Sequence, residues 1–97
     1  MKHTFKIMEF STANVSESAA EFFDTGPDYS KKAKQPFMHS EYGWIFTVPD
    51  SDDFDLVDSV GCEGFSACMR KAAQAGCDYA IFDNVLMPVD GLPVYDW

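Results

Sequence analysis

The chain has 97 residues, 46% of them hydrophobic, and its 16 acidic and 7 basic side chains give a formal net charge of −9 at pH 7. This length and apolar content predict one folded domain, residues 1–97, and exclude a disordered chain. The excess of acid disfavours nucleic acid or an anionic membrane surface as a direct ligand, because both are bound mainly through Lys and Arg.

The first part of the chain predicts a strand followed by a helix. Residues 4–10 alternate loosely between apolar and polar side chains, which is typical of a strand. Asn14 and Glu17 have the spacing of a capping box, and Gly and Pro follow soon after Asp24. A helix that ends near Asp24 is therefore expected.

The middle and the end of the chain predict a hairpin, a long helix and a last strand. Residues 37–40 and 44–48 read as two strands joined by a tight turn in which Gly43 can take a positive φ. Residues 63–75 place apolar side chains at helical spacing and are followed by glycine. Residues 78–83 have the composition of a strand.

The resulting order, βαββαβ, is typical of a small α+β domain. Two βαβ-like halves commonly form an antiparallel sheet of about four strands with two helices on one face, and the ferredoxin-like arrangement is an example. We therefore expect that fold class.

The cysteines and the N-terminus predict a cytoplasmic protein with reduced thiols. Cys62, Cys68 and Cys77 form no Cys-x-x-Cys pair. Lys6 and Glu9 interrupt the region where a signal peptide needs an unbroken apolar segment. No apolar run approaches the length of a transmembrane helix.

The most distinctive segment is a run of acidic residues with no basic residue among them. The six carboxylates belong to Asp50, Asp52, Asp53, Asp55, Asp58 and Glu63. One helical turn is predicted for residues 54–59, and it would place the side chains of Asp52, Asp55 and Asp58 on one side. Such a surface can imitate the phosphates of DNA or RNA and bind a basic groove on a protein. The alternative is a solvated loop.

Metal and cofactor sites are not predicted. An EF-hand loop starting at Asp50 would need a ligand at the fifth position, Gly at the sixth and Glu at the twelfth, where this chain has Phe54, Asp55 and Gly61. The Cys and His residues lack zinc-ligand spacing. No phosphate-binding or dinucleotide-binding loop is present.

Two further features leave alternatives open. A position near a helix N-terminus can lower the pKa of Cys62, which would suit a nucleophile, although the neighbouring Glu63 opposes this effect. Tyr95 and Trp97 are interface anchors if they are exposed, and they complete the core if they are packed. The chain has no further catalytic signature, so a protein without enzyme activity is expected.

Three segments together resemble a family of small uncharacterised proteins carried by phages, plasmids and other bacterial mobile elements. They are Phe10-Ser-Thr-Ala-Asn14, Glu41-Tyr-Gly-Trp44, and the stretch from Gly76 to Trp97. Relatives often have His after Ser-Thr-Ala, where this chain has Asn14. Because the family has no known function, the resemblance implies no catalytic residues. It implies a bacterial host and, by context, an inhibitor of host defences.

The leading hypothesis is therefore a binding protein of the anti-CRISPR or anti-restriction type. Its acidic surface would block the nucleic-acid-binding site of a basic protein or ribonucleoprotein complex. The alternative is a structural or regulatory interaction module, including a homodimer, with no defence role.

Overall fold

The computed structural model of the protein describes residues 4–24, 37–40, 43–49, 54–88 and 91–95. Within these residues the chain forms four strands, three α-helices and one short 3₁₀ helix. In chain order they are β1 (Ile7–Ser11), the 3₁₀ helix (Thr12–Asn14), α1 (Glu17–Asp24), β2 (Phe37–Ser40), β3 (Gly43–Thr47), α2 (Asp55–Ser59), α3 (Glu63–Gln74) and β4 (Tyr79–Asp83). The prediction of an α+β fold is confirmed.

The strands form one sheet in the order β1-β4-β3-β2. Strand β4 pairs in parallel with β1 and antiparallel with β3, and β3 pairs antiparallel with β2. The sheet is thus mixed, which corrects the predicted antiparallel, ferredoxin-like arrangement. A parallel pair joins the first strand to the last.

The burial of the strands explains this order. In β4, Ala80 and Phe82 are buried and Ile81 between them is partly buried, so apolar side chains occupy both faces. A strand of this kind suits the interior of a sheet. Strand β1 leaves Ile7 and Glu9 exposed, and an exposed charge is common on an edge strand.

An aromatic cluster fills the space between the sheet and the helices α1 and α3. The ring of Phe65 in α3 lies 4.8 Å from that of Phe23 in α1, 5.0 Å from Phe46 in β3 and 5.6 Å from Phe82 in β4, measured between centroids. All four side chains are at most 1% exposed. Because Phe23 and Phe65 both contact Phe46, α1 and α3 cover the same face of the sheet.

Helix α3 closely matches its predicted range. It buries an apolar stripe made of Phe65, Cys68, Met69 and Ala72. After the helix, Gly76 has a φ of +76°, a conformation that favours glycine. Lys6 Nζ donates a hydrogen bond of 2.7 Å to the Ala75 carbonyl oxygen, which places a positive charge at the negative end of the helix dipole.

The start of α1 differs from its prediction. Asn14 does not cap α1, because it ends the preceding 3₁₀ helix, where it forms a capping box with Ser11. The Asn14 Oδ1 accepts a hydrogen bond of 3.3 Å from the Ser11 N–H. Ser16 lies at the start of α1, and its Oγ accepts a hydrogen bond of 3.3 Å from the Ala19 N–H. The start of α1 was therefore predicted two residues too early, and the observed capping box belongs to the 3₁₀ helix before it.

Candidate functional site

The predicted acidic segment is partly visible in the structure. Asp50, Asp52 and Asp53 lie outside the described residues. The other three carboxylates are exposed: Asp55 and Asp58 on α2, and Glu63 at the first position of α3. The predicted helical turn is present as α2.

Asp58 is not a free negative charge. Its two carboxylate oxygens accept hydrogen bonds of 2.6 and 2.7 Å from Nη1 and Nη2 of Arg70 in α3. These hydrogen bonds lower the pKa of Asp58, so both partners stay charged. The pair was not predicted, because Asp58 and Arg70 are 12 residues apart on different helices. Its two charges cancel, and Asp58 adds little to the local negative potential.

The N-terminus of α1 brings further carboxylates to the start of α3. The Ser16 N–H donates a hydrogen bond of 3.3 Å to Cys62 Sγ, so the first turns of the two helices are in contact. Glu17 and Glu63, the residues that follow this pair, are both exposed, as is Glu21 one turn later on α1. We use the name acidic surface for four exposed carboxylates: Glu17, Glu21 and Glu63 at the contact of α1 with α3, and Asp55 at the start of α2. Its α1 members were missed because no run of acidic residues marks them.

Cys62 is the N-cap residue of α3 and lies at the contact between the starts of α1 and α3. Its thiol is 3% exposed, and Sγ accepts hydrogen bonds from the backbone N–H groups of Ser16 (3.3 Å) and Phe65 (3.4 Å). Sγ also lies 3.7 Å from the Tyr95 hydroxyl oxygen. Burial raises the pKa of Cys62, but the hydrogen bonds outweigh burial and hold this pKa below its ordinary value.

This arrangement favours the thiolate form of Cys62. Within the described part of the chain, the hydrogen-bond partners of Cys62 are backbone N–H groups, the Ser16 hydroxyl and a phenol. None of them is the carboxylate or imidazole that usually activates a nucleophile. Cys68, fully buried in α3, has its pKa raised to about 12 by burial and remains a protonated thiol.

The C-terminal segment crosses this region and is held there. We call residues 91–95 the C-terminal strap. Three hydrogen bonds hold the strap: Tyr95 N–H to the Ala13 carbonyl oxygen (2.7 Å), Asn14 Nδ2 to the Pro93 carbonyl oxygen (2.8 Å), and Gly64 N–H to the Tyr95 hydroxyl oxygen (3.1 Å). Tyr95 is thus partly buried against the core. Trp97 lies outside the described residues.

The strap unites two of the segments that carry the family resemblance. Asn14 ends the first of these segments and is fully buried, and Pro93 and Tyr95 belong to the last. The side-chain amide of Asn14 joins the two segments, because its Oδ1 accepts a hydrogen bond from the Ser11 N–H and its Nδ2 donates one to the Pro93 carbonyl oxygen. Asn14 therefore has a structural role, since both ends of its amide are used in holding the strap to the start of the fold.

Replacement of Tyr95 with Phe should loosen the strap. The Gly64 N–H would lose its partner, at a cost of about 1 kcal/mol in local stability. Because the Cys62 thiol is 3% exposed, it should react with a maleimide only after the strap opens. The labelling rate of Cys62, followed by peptide mass spectrometry at pH 8, should rise about fivefold.

Val94→Ala provides the comparison, because Val94 belongs to the same strap but is 59% exposed. This variant should label at the rate of the unmodified protein. An equal rate in Tyr95→Phe and the unmodified protein would show that the tyrosine hydroxyl does not hold the strap.

Neither a metal cluster nor a membrane-spanning helix occurs in the part of the chain that the structure describes. No three side chains from His, Cys, Asp and Glu come together there as metal ligands. Nor is any helix in those ranges long and apolar enough to cross a bilayer.

The fold and this site define a small α+β domain with a mixed sheet, an exposed acidic surface and a C-terminal strap. The model of a family described as "Family of unknown function (DUF5983) C-terminal domain" matches residues 7–97, and the chain belongs to this family. The prediction that the chain belongs to an uncharacterised family is thereby confirmed. No curated protein and no solved structure matches the chain.

Proposed function

We propose that the protein binds a basic protein or ribonucleoprotein complex through its acidic surface and blocks the partner's nucleic-acid-binding site. In this proposal the protein has no enzyme activity and acts as an inhibitor of a bacterial defence system, of the anti-CRISPR or anti-restriction type. The resemblance to proteins of mobile elements supplies the biological context for this role.

The observation that carries the proposal is the imbalance of exposed charge. The described residues contain nine acidic side chains, seven of them exposed: Glu9, Glu17, Glu21, Asp24, Asp55, Asp58 and Glu63. They contain three basic side chains, and two of these are engaged, Arg70 with Asp58 and Lys6 with the Ala75 carbonyl oxygen. Among the described residues, the exposed acidic side chains thus outnumber the basic side chains by seven to three.

The physical basis is electrostatic complementarity. A surface with a single sign of charge accelerates encounter with a partner of opposite charge and aligns the two. Carboxylates that occupy a basic groove would compete directly with the phosphates of nucleic acid. Since exposed charges are screened by salt, affinity should fall as ionic strength rises.

Charge reversal tests the proposal. In the double variant Asp55→Lys, Glu63→Lys, affinity for the partner should fall at least about tenfold, because two attractive contacts become repulsive. Purified CRISPR effector complexes and restriction enzymes are suitable partners. Binding would be measured by interferometry at low and high salt, together with competition against the partner's nucleic acid.

Two single variants sharpen this experiment. Asp58→Asn should change affinity less than Asp55→Lys does, because the charge of Asp58 is already balanced by Arg70. Glu9→Lys reverses an exposed acid on the edge strand β1 and should leave affinity within about twofold. The proposal fails if the double variant binds as tightly as the unmodified protein, or if the bound partner still takes up nucleic acid.

The second candidate is an interaction module that forms a homodimer, and the face of the sheet that no described helix covers favours it. Ile7 is 48% exposed on this face, and the neighbouring Ile45 and Ile81 are only partly buried. Light scattering separates the two candidates. A dimer that persists at high salt and has no affinity for basic partners would favour the module.

A further inference from the structure

An open cavity of about 700 Å³ lies at the C-terminal end of α3, away from the Cys62 end of that helix. Its walls come from the end of α3, the C-terminal end of the hairpin strand β3, the start of β4 and the residue Phe5 before β1. Cavities of this size are typical of small-molecule sites. The acidic surface does not contribute to it, so the cavity is a separate feature.

Aromatic side chains form much of the cavity wall. Phe5 and Tyr79 both line it and meet edge to face, with ring centroids 5.5 Å apart. Phe5 is 50% exposed, so part of its ring is open to solvent at the cavity. Phe54 adds a third ring, which is buried. Flat aromatic walls favour a flat ligand, because rings stack or meet edge to face.

Two polar side chains of α3 also line the cavity. Arg70 is held in place by its two hydrogen bonds to Asp58, and its guanidinium carbon lies 4.9 Å from the centre of the Phe54 ring. A guanidinium has five N–H groups, so three remain for a ligand acceptor. Gln74, exposed one turn further along α3, adds an amide donor and an amide acceptor.

The charges of the described residues around the cavity favour an uncharged ligand. The positive charge of Arg70 is balanced by Asp58, and the net charge of −9 repels anions from the protein as a whole. A cation would lie beside the guanidinium. The carboxylate of Asp78, the acidic residue in the wall, already accepts a hydrogen bond of 2.8 Å from the Lys6 N–H.

From these observations we infer that the cavity binds an uncharged, planar heteroaromatic molecule. Its ring packs against Phe5 and Tyr79, and its acceptor atoms take hydrogen bonds from Arg70 or Gln74. This inference does not depend on the proposed function, because the acidic surface and the cavity are formed by different residues.

The test is an NMR titration of the ¹⁵N-labelled full chain with caffeine, adenine and quinazolin-4-one, three uncharged heteroaromatic probes. We expect saturable shifts of the amide signals of Phe5, Gln74 and Tyr79 with at least one of them. Benzoate, benzylammonium and cyclohexanol test for an anion, a cation and a ring that is not planar, and each should bind at least about tenfold more weakly.

Two pairs of variants complete the test. Phe5→Ala and Gln74→Ala should each weaken binding of the probe at least about fivefold. Ile7→Ala and Lys71→Ala should leave it unchanged, since Ile7 matches Phe5 in exposure and Lys71 lies on the same helix, outside the cavity wall. All four side chains are exposed or half-exposed, so the spectra should show an intact fold.

Three results would overturn the inference. The first is that none of caffeine, adenine and quinazolin-4-one gives saturable shifts, and the second is that benzoate, benzylammonium or cyclohexanol binds as well as they do. The third is that Phe5→Ala and Gln74→Ala bind the probe as tightly as the unmodified protein.

Discussion

Replacement of Phe65 with alanine should lower the free energy of unfolding by about 4 kcal/mol. The Phe65 side chain is fully buried, and its ring lies within 5.6 Å of the rings of Phe23, Phe46 and Phe82, measured between centroids. Its removal would leave a cavity at the point where α1, α3 and two strands meet. A domain of this size is stable by only about 5–15 kcal/mol, so this single change would remove much of that stability.

Urea unfolding followed by circular dichroism would measure this loss, with a midpoint lower by about 2 M. Phe65→Leu, which retains most of the buried area, should cost about 1 kcal/mol and stay folded even if the alanine variant does not. Phe5→Ala removes a phenylalanine that is 50% exposed and should cost less than about 1 kcal/mol. If Phe5→Ala and Phe65→Ala were equally destabilising, the aromatic cluster would not be the centre of the core.

Replacement of Gly64 with alanine should lower the free energy of unfolding nearly as much as Phe65→Ala does. A Cβ atom on Gly64 would overlap the backbone carbonyl oxygen of Asn14 and lie 2.7 Å from Cε2 of Tyr95. Asn14 cannot easily move, because its side chain is used in the capping box and in the bond to Pro93. Gly64→Ala should therefore cost about 3 kcal/mol, although alanine is the better helix former.

Gly61→Ala separates this steric effect from a conformational one. Gly61 has a φ of +77° and open space around its Cα, so alanine there should cost only about 1 kcal/mol. Gly64→Ala should also displace the strap and speed the labelling of Cys62, which Gly61→Ala should not do. Equal losses in the two variants, with unchanged labelling, would mean that the strap does not pack against Gly64.

The local elements were predictable because their signals are local. Helix α3 is marked by the spacing of Phe65, Cys68 and Met69 and by the glycine that follows it. The strands β3 and β4 are marked by short runs rich in aromatic and β-branched residues. In each case, residues that are close together in the sequence determine the structure.

The features that escaped prediction depend on contacts between distant residues. The pairing of β1 with β4, the ion pair of Asp58 with Arg70, and the contact of Ser16 with Cys62 all join different elements. No spacing in the sequence marks such contacts. The acidic surface was accordingly predicted as one continuous segment, whereas the structure adds Glu17 and Glu21 from another helix and balances the charge of Asp58.

The position of β4 also governs how this chain can fold. Strand β4 is the last of the four described strands, but it is the neighbour of β1 and the link between β1 and the hairpin of β2 and β3. The Lys6 carbonyl oxygen, just before β1, accepts a hydrogen bond from the N–H of Asp78, 72 residues later, so this contact cannot form until Asp78 has been synthesised. Closing so long a loop is entropically costly, and domains dominated by such contacts fold slowly. During synthesis, the four-stranded sheet can therefore be completed only after β4 has left the ribosome.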